Sequence, residues 1–186
     1  MRKVLISQMV SLDGFFSGPN GELDWHMVDE DFNAFAIDQL NQVDTILFGR
    51  VTYGWMAGYW PTPDAIKNDP VVAGKMNELH KVVFSKTLTE ATWNNSRVVK
   101  GDLAAEIEAL KRQPGKDMVV FGSGQITSAL AQLGLIDVYR LFVCPLVLGS
   151  GVPLFKDVAS RVRLKLARTK PLKSGVVLLE YEPDRS

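Results

Sequence analysis

The chain has 186 residues, with 21 Lys+Arg and 21 Asp+Glu, so its formal net charge is zero. A generic nucleic-acid binder would carry a basic excess or stripe, and neither is present. With 46% hydrophobic and 23% charged residues, the composition excludes a disordered polar chain.

Lys3 to Val10 is predicted as a first strand, closed by Asp13-Gly14. Its flanks, Met1-Arg2-Lys3 and Val4-Leu5-Ile6, imitate a signal peptide. Ser7, Gln8, Ser11 and Asp13 break the apolar run too early for one. Asp29 to Leu40 is predicted as a helix. Asp29, Glu30 and Asp31 suit its positive end, and Phe32, Phe35, Ala36 and Leu40 form its apolar face. Thr45 to Phe48 is a buried strand running into Gly49-Arg50, and Val51 to Ala57 a short helix. Pro61, Pro63 and Pro70 mark an irregular connection before a helical stripe of Val72, Met76 and Leu79.

Lys81 to Ser85 and Arg97 to Val99 are predicted strands. Leu103, Ile107 and Leu110 mark a helix. Met118 to Phe121 is a buried strand followed at once by Gly122-Ser123-Gly124. Ile126, Ala129, Leu130 and Leu133 form the next helix. Val138 to Val147, Val162 to Arg168 and Val176 to Tyr181 then read as three strands with no helix between them. The alternation predicts an α/β layer fold whose sheet is parallel early and antiparallel at the C-terminal end. No linker divides the chain, so residues 1–186 are expected to form one domain.

Cys144 is the one cysteine, which suits a reducing compartment. The longest near-apolar run in the rest of the chain, Leu141 to Leu148, falls far short of the ~20 residues of a spanning helix. A soluble, cytoplasmic protein without a membrane segment is expected. His26, His80 and Cys144 have no metal-ligand spacing, so no metal is expected.

Three strand ends carry phosphate-binding chemistry. Gly122, Ser123, Gly124, Gln125 and Ile126 join a strand to a helix, where small residues expose N–H groups at a positive helix end. The alternative is a tight turn with a serine N-cap. The loop is not a full dinucleotide fingerprint, since Thr127 holds the sixth position and no acid ends the next strand. Gly49, Arg50 and Thr52 form a second strand end, and Ser85 and Lys86 a third; each alone reads as a solvated turn, and only together with the glycine loop do they suggest a ligand edge. Arg50 and Lys86, without a ribose-binding acid, favour NADPH over NADH.

Asp13 at a strand end is a candidate for proton handling or ligand anchoring, or else an Asp-Gly turn. Asp31 is a substrate-facing carboxylate or a helix-dipole charge. Trp25, Tyr53, Trp55, Tyr59 and Trp60 either wall a pocket for a flat heterocycle or build a core or subunit interface.

The ordered segments Ser11-Leu12-Asp13-Gly14, Gly49-Arg50-Val51-Thr52, Val82-Val83-Phe84-Ser85, Phe121-Gly122-Ser123-Gly124 and Pro145 to Phe155 resemble the dihydrofolate reductase superfamily. The likeness is closer to the branch containing the reductase domain of the bifunctional riboflavin-biosynthesis deaminase-reductase, and it spans roughly residues 2–182. It implies a three-layer αβα dihydrofolate-reductase-like fold with a central mixed sheet, NADPH as hydride donor and a homodimer. By position, Gly49, Arg50 and Thr52 match the adenosine-phosphate segment, Ser85 and Lys86 the next cofactor loop, and Gly122 to Ile126 the pyrophosphate loop. Asp13 matches an aspartate near the nicotinamide, and Asp31 lies near the substrate carboxylate of dihydrofolate reductase. Gly149 to Leu154, with Gly151 and Leu154, would border the substrate beside Trp25.

Two departures stand out. The zinc deaminase motif is absent, with no room expected for a fused deaminase domain. Leu23-Asp24-Trp25-His26-Met27 replaces the Trp-Pro-Leu-Pro-type approach of dihydrofolate reductase. The expected activity is an NADPH-dependent reductase for a small heterocyclic or ribosylaminouracil-like substrate. The alternatives are a nucleotide-binding module without turnover and dihydrofolate reductase proper.

Overall fold

The computed structural model describes residues 1–185. In chain order the elements are β1 (Val4–Ser11), β2 (Phe15–Ser17), α1 (Glu30–Gln42), β3 (Val43–Gly49), α2 (Arg50–Tyr59), α3 (Pro63–Asn68), α4 (Pro70–Glu78) and β4 (His80–Phe84). They continue as β5 (Ser96–Val99), α5 (Leu103–Arg112), β6 (Asp117–Phe121), α6 (Gly124–Gln132), β7 (Val138–Cys144), β8 (Val152–Pro153), β9 (Leu164–Pro171) and β10 (Val177–Pro183).

Eight strands form one sheet in the order β5-β4-β3-β6-β1-β7-β10-β9. The pairs from β5 through β7 are parallel, and β10 runs antiparallel to both β7 and β9. This is the mixed sheet expected of the dihydrofolate-reductase-like fold. Side chains alternate between its faces, as the strand period requires. Val4, Ile6, Leu47, Val82 and Val120 pack with Ile107, Leu110 and Leu130 of α5 and α6. Leu5, Ile46, Phe48, Val83 and Val119 pack with Leu40, Tyr53, Val72 and Met76 of α1, α2 and α4. Burial on both faces explains why these strands read as continuous apolar runs rather than alternating ones.

Two stretches differ from expectation. The proline-rich connection holds a short helix, α3, and the expected stripe of Val72 and Met76 lies on α4, which starts at Pro70. Pro63 and Pro70 each occupy the start of a helix, where the missing N–H costs nothing. Thr62 and Asp69 cap them, their side chains accepting from Ala65 N and Val72 N at 3.2 and 3.1 Å. The strand expected over 138–147 stops at Cys144, because Pro145 cannot donate to the ladder. The structure also adds a small second sheet, β2 paired with β8. Segments of three and two residues are too short to show a period.

The parallel strands β1, β3, β4 and β6 all finish along one edge of the sheet, at Ser11, Gly49, Phe84 and Phe121. Ligands of open α/β sheets bind at that edge. The opposite edge is closed by polar anchors. Lys81 is fully buried, donates to Asn77 O and Asn94 O at 2.8 and 2.9 Å, and lies 4.3 Å from the Trp93 ring centre. Burial pulls its pKa down to about 8.

Candidate functional site

A cleft of about 920 Å³ runs along the strand-end edge, from the end of β4 to the small β2–β8 sheet. Arg50 and Thr52 at the start of α2, Ser85 and Lys86 after β4, and Ser123 to Ile126 at the start of α6 all line it. Gly49 lines it too, but Gly122 does not. The three strand ends that the sequence marks separately therefore share one cavity.

The turn from β6 into α6 holds two successive left-handed residues. Gly122 has φ +59°, and a Cβ there would lie 2.7 Å from Thr52 Cγ2, so only glycine fits. Ser123 has φ 54° and ψ 59° despite its side chain. Hydrogen bonds hold it there: Ser123 N donates to Thr52 Oγ1 at 2.9 Å, and Gly49 N donates to Ser123 Oγ at 2.8 Å. Ser123 stands at the N-cap position but makes no side-chain cap. This corrects the serine-cap alternative, because the hydroxyl ties α6 to the end of β3 instead.

The consequence is electrostatic. The first-turn N–H groups of a helix have no intrahelical partner. Among the described residues no side chain accepts a hydrogen bond from them, and the helix end carries roughly half a positive charge. Gly124 lets the Phe16 ring close over the turn, since a Cβ there would sit 2.5 Å from Phe16 Cε1.

Arg50 and Lys86 are exposed on the rim, and neither forms an ion pair with a carboxylate among the described residues. Ser85 is occupied locally, its Oγ accepting from Thr87 N and Leu88 N at 3.2 and 2.9 Å. Uncapped amides, a cradle that excludes Cβ atoms and two unpaired cations form a donor set suited to the phosphates of a dinucleotide.

The remaining candidates fall elsewhere. Asp13 does not line the cleft. Its Oδ1 and Oδ2 accept from Leu148 N and Gly149 N at 3.1 and 2.8 Å. The Ser11 hydroxyl, with these N–H groups, holds its carboxyl below the usual 3.8. Asp31 lines a separate cavity of about 230 Å³ beside Arg140 and Glu180, and its Oδ2 accepts from Lys173 N at 3.3 Å. Trp25, like Phe32 and Phe35, packs against the buried cluster that contains Phe142, and its indole N–H donates to Glu22 O at 3.2 Å. Gly151 lies against β2, where a Cβ would meet Ser17 O at 2.4 Å, and Leu154 is buried. Their neighbours Val152 and Pro153 do line the cleft.

The aromatic group divides. Trp55 lines the cleft, half exposed, whereas Tyr53 is buried with its hydroxyl accepting from Trp93 N at 2.9 Å. Phe16 and Ser17 are lining residues with no signal in the sequence, since β2 is three residues long. His26 stands edge-on to Trp25, with ring centres 4.5 Å apart. Burial pulls its imidazole below the ordinary 6.5, and among the described residues Nε2 has no hydrogen-bond partner. Among the described residues no cluster of metal-ligating side chains occurs, and no helix is long and apolar enough to cross a membrane.

Comparison with known proteins gives a consistent picture. The family model for the RibD C-terminal domain matches residues 2–178. An uncharacterized Bacillus subtilis protein, YyaP, is 37% identical over 180 residues, covering 97% of this chain and 94% of YyaP. Among solved structures, a Shewanella sp. PV-4 protein named for riboflavin biosynthesis matches with TM-score 0.76 at 24% identity, covering 100% of both chains. Dihydrofolate reductase from Enterococcus faecalis, solved with NADP(H), matches with TM-score 0.66 at 16% identity, covering 98% of this chain and 96% of that one.

Proposed function

The chain belongs to the RibD C-terminal domain family, and from that premise we propose that it is an NADPH-dependent reductase of a small heterocyclic, ribosylaminouracil-like substrate. The carrying observation is the uncapped start of α6, facing a cleft whose rim bears the unpaired cations Arg50 and Lys86. When bound, the nicotinamide cofactor supplies the hydride. The chain's own residues bind and orient. The first-turn N–H groups of α6 and the Thr52 hydroxyl take the phosphate bridge, and Arg50 and Lys86 take the 2′-phosphate. Phe16, Trp55 and Pro153 give the cleft an apolar wall for a flat ring.

A second reading is a nucleotide-binding module without turnover. It is favoured by one observation: neither Asp13 nor Asp31 lines the cleft. Dihydrofolate reductase proper ranks below both, because Asp31 accepts a backbone N–H in another cavity. Calorimetry with NADPH, followed by NADPH oxidation across ribosylaminouracils, pterins and quinones, separates the readings. The reductase reading expects binding and oxidation with a ribosylaminouracil. Binding without oxidation of any panel member supports the module, and no NADPH binding overturns both.

A further inference from the structure

Gln8 lies within β1 and is 3% exposed, an amide placed in the interior of an apolar strand. Burying an amide is costly unless its groups are bonded. Its Nε2 donates to Gly122 O at 2.6 Å, with Thr127 Oγ1 and Val120 O at 3.4 and 3.5 Å. Gly122 O is the carbonyl of the peptide whose N–H, Ser123 N, donates to Thr52 Oγ1. That one peptide plane is therefore gripped at both ends, its carbonyl by β1 and its N–H by α2.

The grip is needed because Ser123, which carries a Cβ, is left-handed. Such a conformation persists only where the surroundings over-determine it. The plane of the 122–123 peptide sets the direction in which α6 starts, and hence where its open N–H groups point. Gln8 itself does not line the cleft.

We propose that Gln8 is a positioning residue for cofactor binding: by holding Gly122 O it fixes the 122–123 peptide and aims the amides of α6 at the phosphate bridge. This rests on the reading of the cleft as an NADPH site. An adenosine ligand carrying only the far phosphate does not use these amides, so the role is selective for bridge-containing ligands.

The test is calorimetry on the whole chain with two probes, NADPH and adenosine 2′-monophosphate. Gln8→Met keeps the volume and removes the donor. It should weaken NADPH by about tenfold to a hundredfold, the usual consequence of orphaning a partly buried carbonyl. Adenosine 2′-monophosphate should stay within about twofold of wild type on the same argument. Gln8→Glu adds a readout that plain packing would not give. Its protonated carboxyl can donate to Gly122 O and its ionised form cannot, so NADPH affinity should fall as pH rises through the new carboxyl's pKa. Amide exchange at Ser123 should quicken in Gln8→Met without ligand.

Equal weakening of both probes, or unchanged NADPH affinity, would overturn the role of Gln8 while leaving the cofactor reading intact. A pH-independent Gln8→Glu would also overturn it, and this arm stands if Gln8→Met fails to fold. Wild-type protein that binds no NADPH overturns the cofactor reading and this inference together.

Discussion

At the ends of β3, β4 and β6 the chain leaves two cations and a helix-end row of amides without partners among the described residues, whereas at the ends of β1 and β7 it pairs its charge with its own backbone. Arg50 and Lys86 have no carboxylate partner among the described residues, and α6 has no side-chain cap at its N-terminus. Asp13, by contrast, binds the turn at Leu148 and Gly149 with both oxygens. Both regions carry Gly-flanked charged residues at strand ends, and in sequence they look equally functional. The difference lies in whether the backbone supplies the partner. A charge satisfied by its own chain stabilises a loop, and an unsatisfied one is available to a ligand.

The strongest attack on this contrast is Gly122→Ala. The added Cβ would meet Thr52 Cγ2 at 2.7 Å in a left-handed conformation. It would break the Ser123–Thr52 hydrogen bond or force the turn to shift. We expect a stability loss of about 2 kcal/mol, roughly 4–8 °C in Tm for a chain of this size. NADPH affinity should fall by about a hundredfold as the amides lose their aim. Calorimetry and thermal melts read both. Near-wild-type affinity would mean that the turn is not the phosphate cradle.

Arg50→Ala is the next step down, because it removes one cation and leaves the cradle standing. NADPH affinity should fall by about tenfold and NADH affinity should barely change, in line with the loss of one charge-assisted contact. The preference of wild type for NADPH over NADH should shrink accordingly. Equal affinity of the wild-type protein for the two cofactors would remove the 2′-phosphate from the argument and leave the bridge as the only anchor.

Most of the sheet was legible because strands buried on both faces leave long apolar runs, as in Val4 to Ile6 and Met118 to Phe121. The open end of the cleft was legible for a related reason, since glycines and cations sit where those runs stop. Illegible parts depend on contacts distant in sequence. β2 and β8 are too short for any period, so Phe16 and Pro153 gave no warning as cleft walls. Pro63 is the exception: it marks a break but equally suits a helix start, and the adjacent cap Thr62 is the signal that identifies α3. Gln8 read merely as an interruption of an apolar run. Its partner, Gly122 O, lies 114 residues away.

The smallest effect, and the most direct trial of the closed end, is Asp13→Asn. An asparagine offers one acceptor oxygen where aspartate offers two, so one of the bonds to Leu148 and Gly149 is lost. Amide exchange in that turn should quicken, while NADPH affinity stays within about twofold, because the exposed turn lies outside the cleft. The pH dependence has a definite sign. The folded carboxyl is held below 3.8, first by the Ser11 hydroxyl and then by the Gly149 and Leu148 N–H groups. Its contribution is therefore present above the unfolded value and is lost as pH falls through the folded one. Wild type and Asp13→Asn should differ in melting temperature at neutral pH and converge in acid. A carboxyl held this low is ionised at neutral pH and has no proton to give. If Asp13→Asn instead abolished turnover with cofactor affinity intact, Asp13 would have to meet the substrate, and the two ends of the sheet edge would be one continuous site.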